Sequence, residues 1–325
     1  MDGIINVLKP PGMTSFDVVA VLRGLTGVRR IGHAGTLDPM AAGVLPVCIG
    51  RAAKAIEFLM EKDKRYRAEL TLGITTDTQD TTGTITSSKK PEVSDQQIAD
   101  AVSAFEGKYL QVPPMHSAVR VDGKRLYELA REGVEIERQQ REVEIFSAKL
   151  LSIDRSEGVR ALIDIHCSKG TYIRTLCSDI GDRLGCGGCM SFLLRMAAGP
   201  FEISDSITLE ELSALREKGG LHNALIGVDR VFAGLEAYRL DEASEKRFGN
   251  GMQIPLSRAL LPDTGNEDRS GLKSSVSQDG SLVRVYGSNG DFIALGMVFD
   301  DAKGYYLKVR KFFKIPVGNE RGHNK

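Results

Sequence analysis

The stretch Arg29-Arg30-Ile31-Gly32-His33-Ala34-Gly35-Thr36-Leu37-Asp38-Pro39-Met40-Ala41-Ala42-Gly43-Val44-Leu45 constrains this chain more than any other. Gly32, Gly35 and Gly43 let the backbone take φ > 0 or approach another group closely. Asp38 is the only carboxylate between Asp17 and Glu57, an interval that holds five basic residues, Arg23, Arg29, Arg30, Arg51 and Lys54. Neighbouring positive charge favours the ionised carboxylate, which is then a nucleophile or base at neutral pH. The fold must therefore present one acid on a tight cationic loop. An Asp-Pro pair also fits a helix N-cap with proline at the first helical position, so the local sequence leaves two readings open.

Length and charge narrow the class. The 325 residues suffice for about two domains, and 42% apolar with 26% charged residues match an ordinary soluble globular chain. No run of about 18 apolar residues occurs. Met1 to Ala20 carries Asp2, Lys9, Pro10, Pro11 and Asp17 in place of an apolar signal core, which predicts a cytoplasmic protein with no membrane contact. Lys plus Arg and Asp plus Glu number 43 each. That balance is unusual for a small obligate nucleic-acid binder, but distribution matters more than the sum. From Lys303 to Lys314, five cations interleave with Tyr305, Tyr306, Phe312 and Phe313 and no acid intervenes. Such a segment suits phosphate contact and base stacking, or else a closing strand with a solvated cationic face. The five cysteines are expected to be reduced. Cys186-Gly-Gly-Cys189 has the spacing of half a zinc site but lacks a second pair, so no metal is expected.

Periodicity predicts a strand over Gly3 to Leu8, a helix capped by Ser15 and ended by Gly27, a strand over Val44 to Ile49 and a helix over Ala52 to Met60. Tyr66, Ala68, Leu70 and Leu72 alternate with Arg65, Arg67, Glu69 and Thr71, which places Tyr66 on the buried face of a strand. Thr75 to Lys90 reads as a surface loop, Ser94 to Phe105 as a helix capped by Ser94, and Arg120 to Arg131 as a basic hairpin leading into a short helix. Val143 to Ile153 and Arg160 to Cys167 form an antiparallel pair. A helix follows with Ile173, Leu176, Ile180 and Leu184 on one face, and Thr208 to Arg216 is another. Arg174 lies in the first turn of its helix, where a cation opposes the dipole, and no acid stands at i±3 or i±4. Any partner for it must come from elsewhere in the chain. From about Leu235, short apolar runs alternate with Gly, Asn, Asp and Ser turns, the pattern of a small β-barrel. Pro262 to Ser275 reads as an insertion or disordered loop, and Val317 to Lys325 as a tail.

Gly32 to Pro46 closely resembles the active-site motif of the bacterial tRNA pseudouridine-55 synthases, in which the aspartate is the essential catalytic residue. That resemblance nominates Asp38. Asn6 to Ser15 is similar to the family's N-terminal signature, which implies a buttress for the catalytic loop. Lys64-Arg65-Tyr66 followed by Leu72-Gly73, Thr76-Asp77-Thr78 and Asp80 resembles the second motif, whose tyrosine packs on the target base, and nominates Tyr66. Cys167-Ser168-Lys169-Gly170-Thr171-Tyr172-Ile173-Arg174 resembles the third, whose arginine pairs with the catalytic aspartate. Leu193-Leu194-Arg195 resembles a further motif with a leucine lining the base pocket, and nominates Leu194. Tyr172 and His33 follow as substrate-binding candidates, His33 to fill the space left by an extruded base.

The family likeness implies an α+β fold with a mixed, largely antiparallel sheet and flanking helices over residues 1–234, including a tRNA-gripping insertion near 107–133. A PUA-like RNA-binding β-barrel over 235–316 and a tail over 317–325 would follow. It also implies a stand-alone, monomeric enzyme that flips U55 out of the T-arm of tRNA and needs no protein partner. Pseudouridine formation neither gains nor loses electrons, and the chain lacks a phosphate loop, a dinucleotide fingerprint and a metal-ligand set, so no cofactor is expected. Three other readings stay open. A non-catalytic RNA-binding protein would dispense with Asp38 or Arg174, a hydrolase would need a second acid or base beside Asp38, and a guide-RNA-dependent synthase would need protein partners.

Overall fold

The computed structural model describes residues 1–117, 119–121, 123–260, 279–301 and 304–314. Pro262 to Ser275 and Val317 to Lys325, expected as a loop and a tail, lie outside the described residues. The chain opens with strand β1 (Gly3–Lys9), helix α1 (Ser15–Thr26) and the strands β2 (Ile31–His33) and β3 (Ala42–Ile49). Thr14, rather than Ser15, caps α1, through a capping box with Asp17. The reason is that the Ser15 hydroxyl is engaged by the loop that carries Asp38, where it accepts from the Leu37 N–H at 2.9 Å. Ala52 to Met60 begins as a 3₁₀ turn and becomes helix α2 (Ile56–Met60) only in its second half.

Strand β4 (Lys64–Leu72) alternates as its sequence predicts, with Tyr66, Ala68, Leu70 and Leu72 buried. The segment expected to be a loop contains a two-stranded hairpin, β5 (Ile74–Thr76) and β6 (Ile85–Ser88). Its threonine-rich strands bury little apolar surface, so the period-2 signal that identifies a half-buried strand is missing. Helix α3 (Asp95–Ser103) has the expected Ser94 cap. Strand β7 (Gly107–Gln111) belongs to the main sheet, so the excursion expected from residue 107 starts only after Gln111. The excursion contains β8 (Arg120–Val121), β9 (Lys124–Arg125) and helix α4 (Leu126–Arg131). Strands β10 (Arg141–Asp154) and β11 (Val159–Cys167), helix α5 (Ile173–Arg183), and strands β12 (Gly188–Ala198) and β13 (Phe201–Glu202) complete the first sheet, and helix α6 (Leu209–Glu217) follows.

This nine-stranded sheet has the order β1-β3-β12-β4-β11-β10-β7, with β13 on β12 and β2 on β3. All its pairings are antiparallel except one, the short contact of β12 with β3 at Leu194 with Ala42 and Arg195 with Gly43. The expected mixed, largely antiparallel sheet is thus present. Helices α3 and α5 cover the face that carries Tyr66, and α1 and α6 cover β1 and β3. Helix α5 comes close to β12 because both contact residues lack side chains: a Cβ on Gly181 would lie 2.2 Å from the Gly188 nitrogen. The Cys186-Gly-Gly-Cys189 segment therefore leads from the turn after α5 into the first residues of β12. All five cysteines are buried and free.

The second unit comprises β14 (Ala237–Leu240), α7 (Glu242–Gly249), β15 (Ile254–Pro255), β16 (Ala259–Leu260), β17 (Leu282–Tyr286), β18 (Phe292–Asp301) and β19 (Gly304–Phe312). Its strands pair in the order β15-β19-β18-β17-β14-β16, and the two end strands do not pair with each other among the described residues. Among the described residues, the expected small β-barrel is represented by one six-stranded sheet. It is held to the first unit by an aromatic cluster in which Phe232 meets Phe58 at 5.2 Å and Phe313 at 5.7 Å, and Phe313 meets Phe292 at 5.4 Å. The Lys54 ammonium donates to the Phe312 carbonyl across this seam at 2.9 Å.

Gly43 sits at the parallel contact with φ +113°, and a Cβ there would lie 2.3 Å from the Arg195 carbonyl oxygen. Gly43→Ala should lower unfolding free energy by about 3 kcal/mol or more, because it combines left-handed strain with a backbone clash. Urea denaturation checks this, and an unchanged midpoint would contradict the pairing.

Candidate active site

The motif loop joins β2 to β3. The Ala41 N–H donates to the Asp38 carbonyl at 3.0 Å, which makes Asp38-Pro39-Met40-Ala41 a β-turn with proline at its second position. The helix N-cap reading is thereby excluded. Two buried cations brace the turn and the chain on either side of it. The Lys9 ammonium donates to the carbonyls of Ala41 at 2.6 Å, Pro10 at 2.9 Å and Pro39 at 3.3 Å. Burial pushes it down to about 8. The Arg195 guanidinium donates to the carbonyls of Val44 at 2.7 Å, Gly35 at 3.1 Å and Thr36 at 3.4 Å. The expected buttress from the N-terminal signature is thus carried mainly by Lys9 and by the Ser15 hydroxyl.

Arg174 enters from the first turn of α5 and is 6% exposed. Its Nε lies 3.0 Å from the Asp38 carboxylate, and its second acid is Asp80, at 3.5 Å. It also donates to the carbonyls of His116 at 2.9 Å and Thr78 at 3.3 Å. Two carboxylates thus offset the helix dipole. The N-cap position, Tyr172, has no side-chain capping bond. Instead the Gln111 amide accepts from the Tyr172 N–H at 2.8 Å and donates to its carbonyl at 3.1 Å.

Asp80 is the residue to which sequence reasoning assigns no role. It is 4% exposed, accepts from the hydroxyls of Thr78 and Thr82, and sits beside Gln79, whose side chain accepts from Thr175 on α5. The signal for it is the Thr76-Asp77-Thr78-Gln79-Asp80 run, which matters only once β12 and α5 are folded over it.

Tyr66 is 9% exposed and packs in one cluster with Leu37, Ala41, Ile173 and Leu193. Burial pushes its phenol up, and the Arg195 guanidinium opposes that shift. Leu194 does not share this face. The register sets it opposite Arg67, whereas Arg195 is opposite Tyr66 and Leu193 opposite Ala68. Leu193, the neighbour of the nominated leucine, is the one that faces the Asp38 side. His33 ends β2, its Nδ1 buried without a partner. Burial, assisted by the Arg195 charge, holds its imidazole below the usual range.

The Asp38 side chain stays 35% exposed. Contrary to expectation, neighbouring cations do not dominate its titration. Burial pushes the Asp38 carboxyl above the usual carboxylate range and Asp80 adds to the rise, while Arg174 and then Lys9 pull against it. Among the described residues no group of three or more His, Cys, Asp or Glu side chains is placed to hold a metal ion. No helix among them is long and apolar enough to cross a membrane.

Residues 23–173 match the model of the TruB family pseudouridylate synthase N-terminal domain, and residues 174–237 match that of the tRNA pseudouridylate synthase B C-terminal domain. A protein of Pelotomaculum thermopropionicum named tRNA pseudouridine synthase B is 52% identical over 321 residues, covering 97% of this chain and 96% of that protein. A protein of the same name from Alkaliphilus oremlandii is 49% identical over 310 residues, covering 95% of this chain and 97% of that protein. The chain belongs to the TruB family. A solved Cbf5-Nop10-Gar1 complex contains a chain that is similar at 26% identity and a TM-score of 0.70, covering 96% of this chain and 85% of that one. The boundary between the two TruB family models falls at Ile173 and Arg174. Asp38 and its ion-pair partner thus lie in different sequence models, although one sheet and one helix hold them together.

The raised Asp38 carboxyl carries a signed prediction. If its ionised form is the active one, the single-turnover rate falls as pH drops through a value above the ordinary carboxylate range. Arg174→Gln removes the main opposing pull, so that acid limb should move to higher pH. Rates measured from about pH 4 to 8 test this, and a limb that stays put or moves down would contradict it.

Proposed function

We propose that this chain isomerises uridine to pseudouridine at position 55 in the T-loop of tRNA. The two relatives named tRNA pseudouridine synthase B, matched over nearly their whole length, support the reaction class. The observation that carries the residue roles is the 3.0 Å pair of Asp38 with Arg174. The reaction breaks the bond between ribose C1′ and uracil N1, turns the base and rejoins C1′ to C5. A proton leaves C5 and one is gained at N1. Electrons are neither gained nor lost, so the chemistry calls for no redox cofactor.

Asp38 attacks the nucleoside or assists loss of its base, and Arg174 aims the carboxylate. Tyr66 holds the detached base by stacking and takes part in proton transfer at C5, and Leu193 lines the same pocket. Tyr172 adds packing where α5 begins. A uridine in the folded T-loop reaches Asp38 only when extruded, at a cost of about a few kcal/mol, and the neutral ring of His33 fills the vacated space. The basic excursion after Gln111 grips the T-arm. Residues 1–234 act as the catalytic domain and 235–316 as a PUA-like RNA-binding domain. The protein works as a cytoplasmic monomer without a protein partner.

Release of tritium from a T-arm RNA labelled at C5 of uridine tests the reaction. Wild-type protein should release the label with no added cofactor, and Asp38→Asn should be slower by about three orders of magnitude or more. A wild-type protein that binds the RNA and releases nothing would favour the non-catalytic reading. The RNA-binding role of the second unit is better tested by surface substitution than by deletion, since Phe292 and Phe313 cover Phe232. Lys308 and Arg310 are exposed on β19. Changing both to Gln should weaken tRNA binding and flatten its dependence on log salt by about 0.9 for each phosphate that is no longer neutralised. An unaltered slope would remove these residues from the interface.

A further inference from the structure

Gln79 is the only residue other than glycine with a positive φ among the described residues, +63°. That left-handed conformation is disfavoured for a residue with a Cβ, and it persists only where the surroundings enforce it. Here they do so from two sides. The Gln79 carbonyl accepts from the Met190 N–H at 3.0 Å and the Thr81 N–H donates to the Met190 carbonyl at 3.0 Å, which fixes the backbone of the turn on β12. The Gln79 side-chain oxygen accepts from the Thr175 hydroxyl at 2.7 Å, which fixes it on α5. Thr175 is 3% exposed and follows Arg174 directly. Its hydroxyl serves the turn rather than the carbonyl four residues back, a common partner of a helical threonine. Two successive residues of α5 thereby grip three successive residues of the turn, since one Arg174 nitrogen meets both the Thr78 carbonyl at 3.3 Å and the Asp80 carboxylate at 3.5 Å.

We propose that Gln79 and Thr175 form a positioning strut for Arg174: the strut holds the turn so that one guanidinium nitrogen stays on Thr78 and Asp80 while Nε stays aimed at the Asp38 carboxylate. The role rests on the reaction proposed above, and it concerns how the reacting carboxylate is held rather than a bond made or broken. Arg174 has a long, rotatable side chain, so its aim is only as firm as the turn it leans on. Without the strut the left-handed turn relaxes, the Thr78 carbonyl and the Asp80 carboxylate draw away, and the guanidinium pairs less well with Asp38. Of the charged groups that act on Asp38, Arg174 from α5 outweighs Asp80 from the turn after β5, and Lys9 from β1 follows. Loosening Arg174 therefore moves the Asp38 carboxyl further up, in the same direction as Arg174→Gln and by less.

Four variants test the strut. Gln79→Met and Thr175→Val each remove the contact while keeping side-chain size, Thr175→Ser keeps the hydroxyl, and Gln79→Gly removes the contact and the left-handed strain together. Tritium release from T-arm RNA labelled at C5 of uridine is followed in single turnover from about pH 4 to 8, with RNA affinity and thermal midpoint measured on the same proteins. Gln79→Met and Thr175→Val should each slow the reaction about 10-fold, leave RNA affinity within about threefold of wild type and displace the acid limb upward by about half a pH unit. The double variant should be no slower than either single one, because both remove the same contact. Thr175→Ser should retain most of the rate. Gln79→Gly should be as slow as Gln79→Met even though its thermal midpoint is higher. A merely structural role would make the rate follow the midpoint, add the two losses in the double variant and leave the acid limb in place, and that result would overturn the proposal. If Gln79→Met does not fold, Gln79→Gly and Thr175→Val decide. Wild-type protein that releases no tritium would remove the reaction and this role together, whereas active wild type with an unmoved acid limb in Gln79→Gly and Thr175→Val would remove only the role.

Discussion

The site depends on a single guanidinium placed between two carboxylates. Arg174 leans out of the first turn of α5 to meet Asp38 at 3.0 Å and Asp80 at 3.5 Å, and three segments far apart in the chain converge on it. Its position on the helix is locally unfavourable, because the positive end of the dipole faces a positive side chain. The two acids reverse that balance, and in doing so they tie the loop after β2, the turn after β5 and helix α5 into one unit. Burial then works against the ion pair at Asp38, and the outcome is a carboxyl whose proton affinity rises even beside an arginine.

Around this contact the polar groups are arranged to hold backbone. Lys9 and Arg195 direct their hydrogen bonds to carbonyls in or beside the Asp38 loop. The connection between β2 and β3 forms no helix or strand of its own. Without the two cations its carbonyls would be left unsatisfied in the interior, at a cost of about 1–3 kcal/mol for each. Glycine at 43 admits β12 against the loop, so the brace and the strand pairing arrive together.

Much of this is legible in the sequence, and the failures have physical causes. The alternation from Tyr66 to Leu72 marks the strand and its buried face, because one side of β4 is covered and the other is open. The lack of an acid near Arg174 in its own helix points correctly to a distant partner. Asp80 stays unassigned because its role depends on docking of its loop against α5 and β12, which no local pattern encodes. Leu194 is nominated through the likeness of Leu193-Leu194-Arg195 to a family motif, which does not say which leucine faces the pocket; the pairing with β4 sets Leu194 opposite Arg67 and Leu193 opposite Ala68. The β5–β6 hairpin escapes notice for want of apolar alternation, and Ser15 passes for a cap because its hydroxyl serves a residue 22 positions away.

The strand order has a consequence for how the molecule is made. β12 lies between β3 and β4, which are near neighbours in sequence, so the sheet cannot close until a strand ending at Ala198 has been inserted between two that were synthesised long before it. Contacts of such large sequence separation are slow to form. As the chain grows from its N-terminus, the Asp38 loop exists for more than a hundred residues of synthesis without Arg174 or Arg195. A nascent chain therefore carries the acid but not its charge partner or its brace, and the site is assembled only when the main sheet is complete.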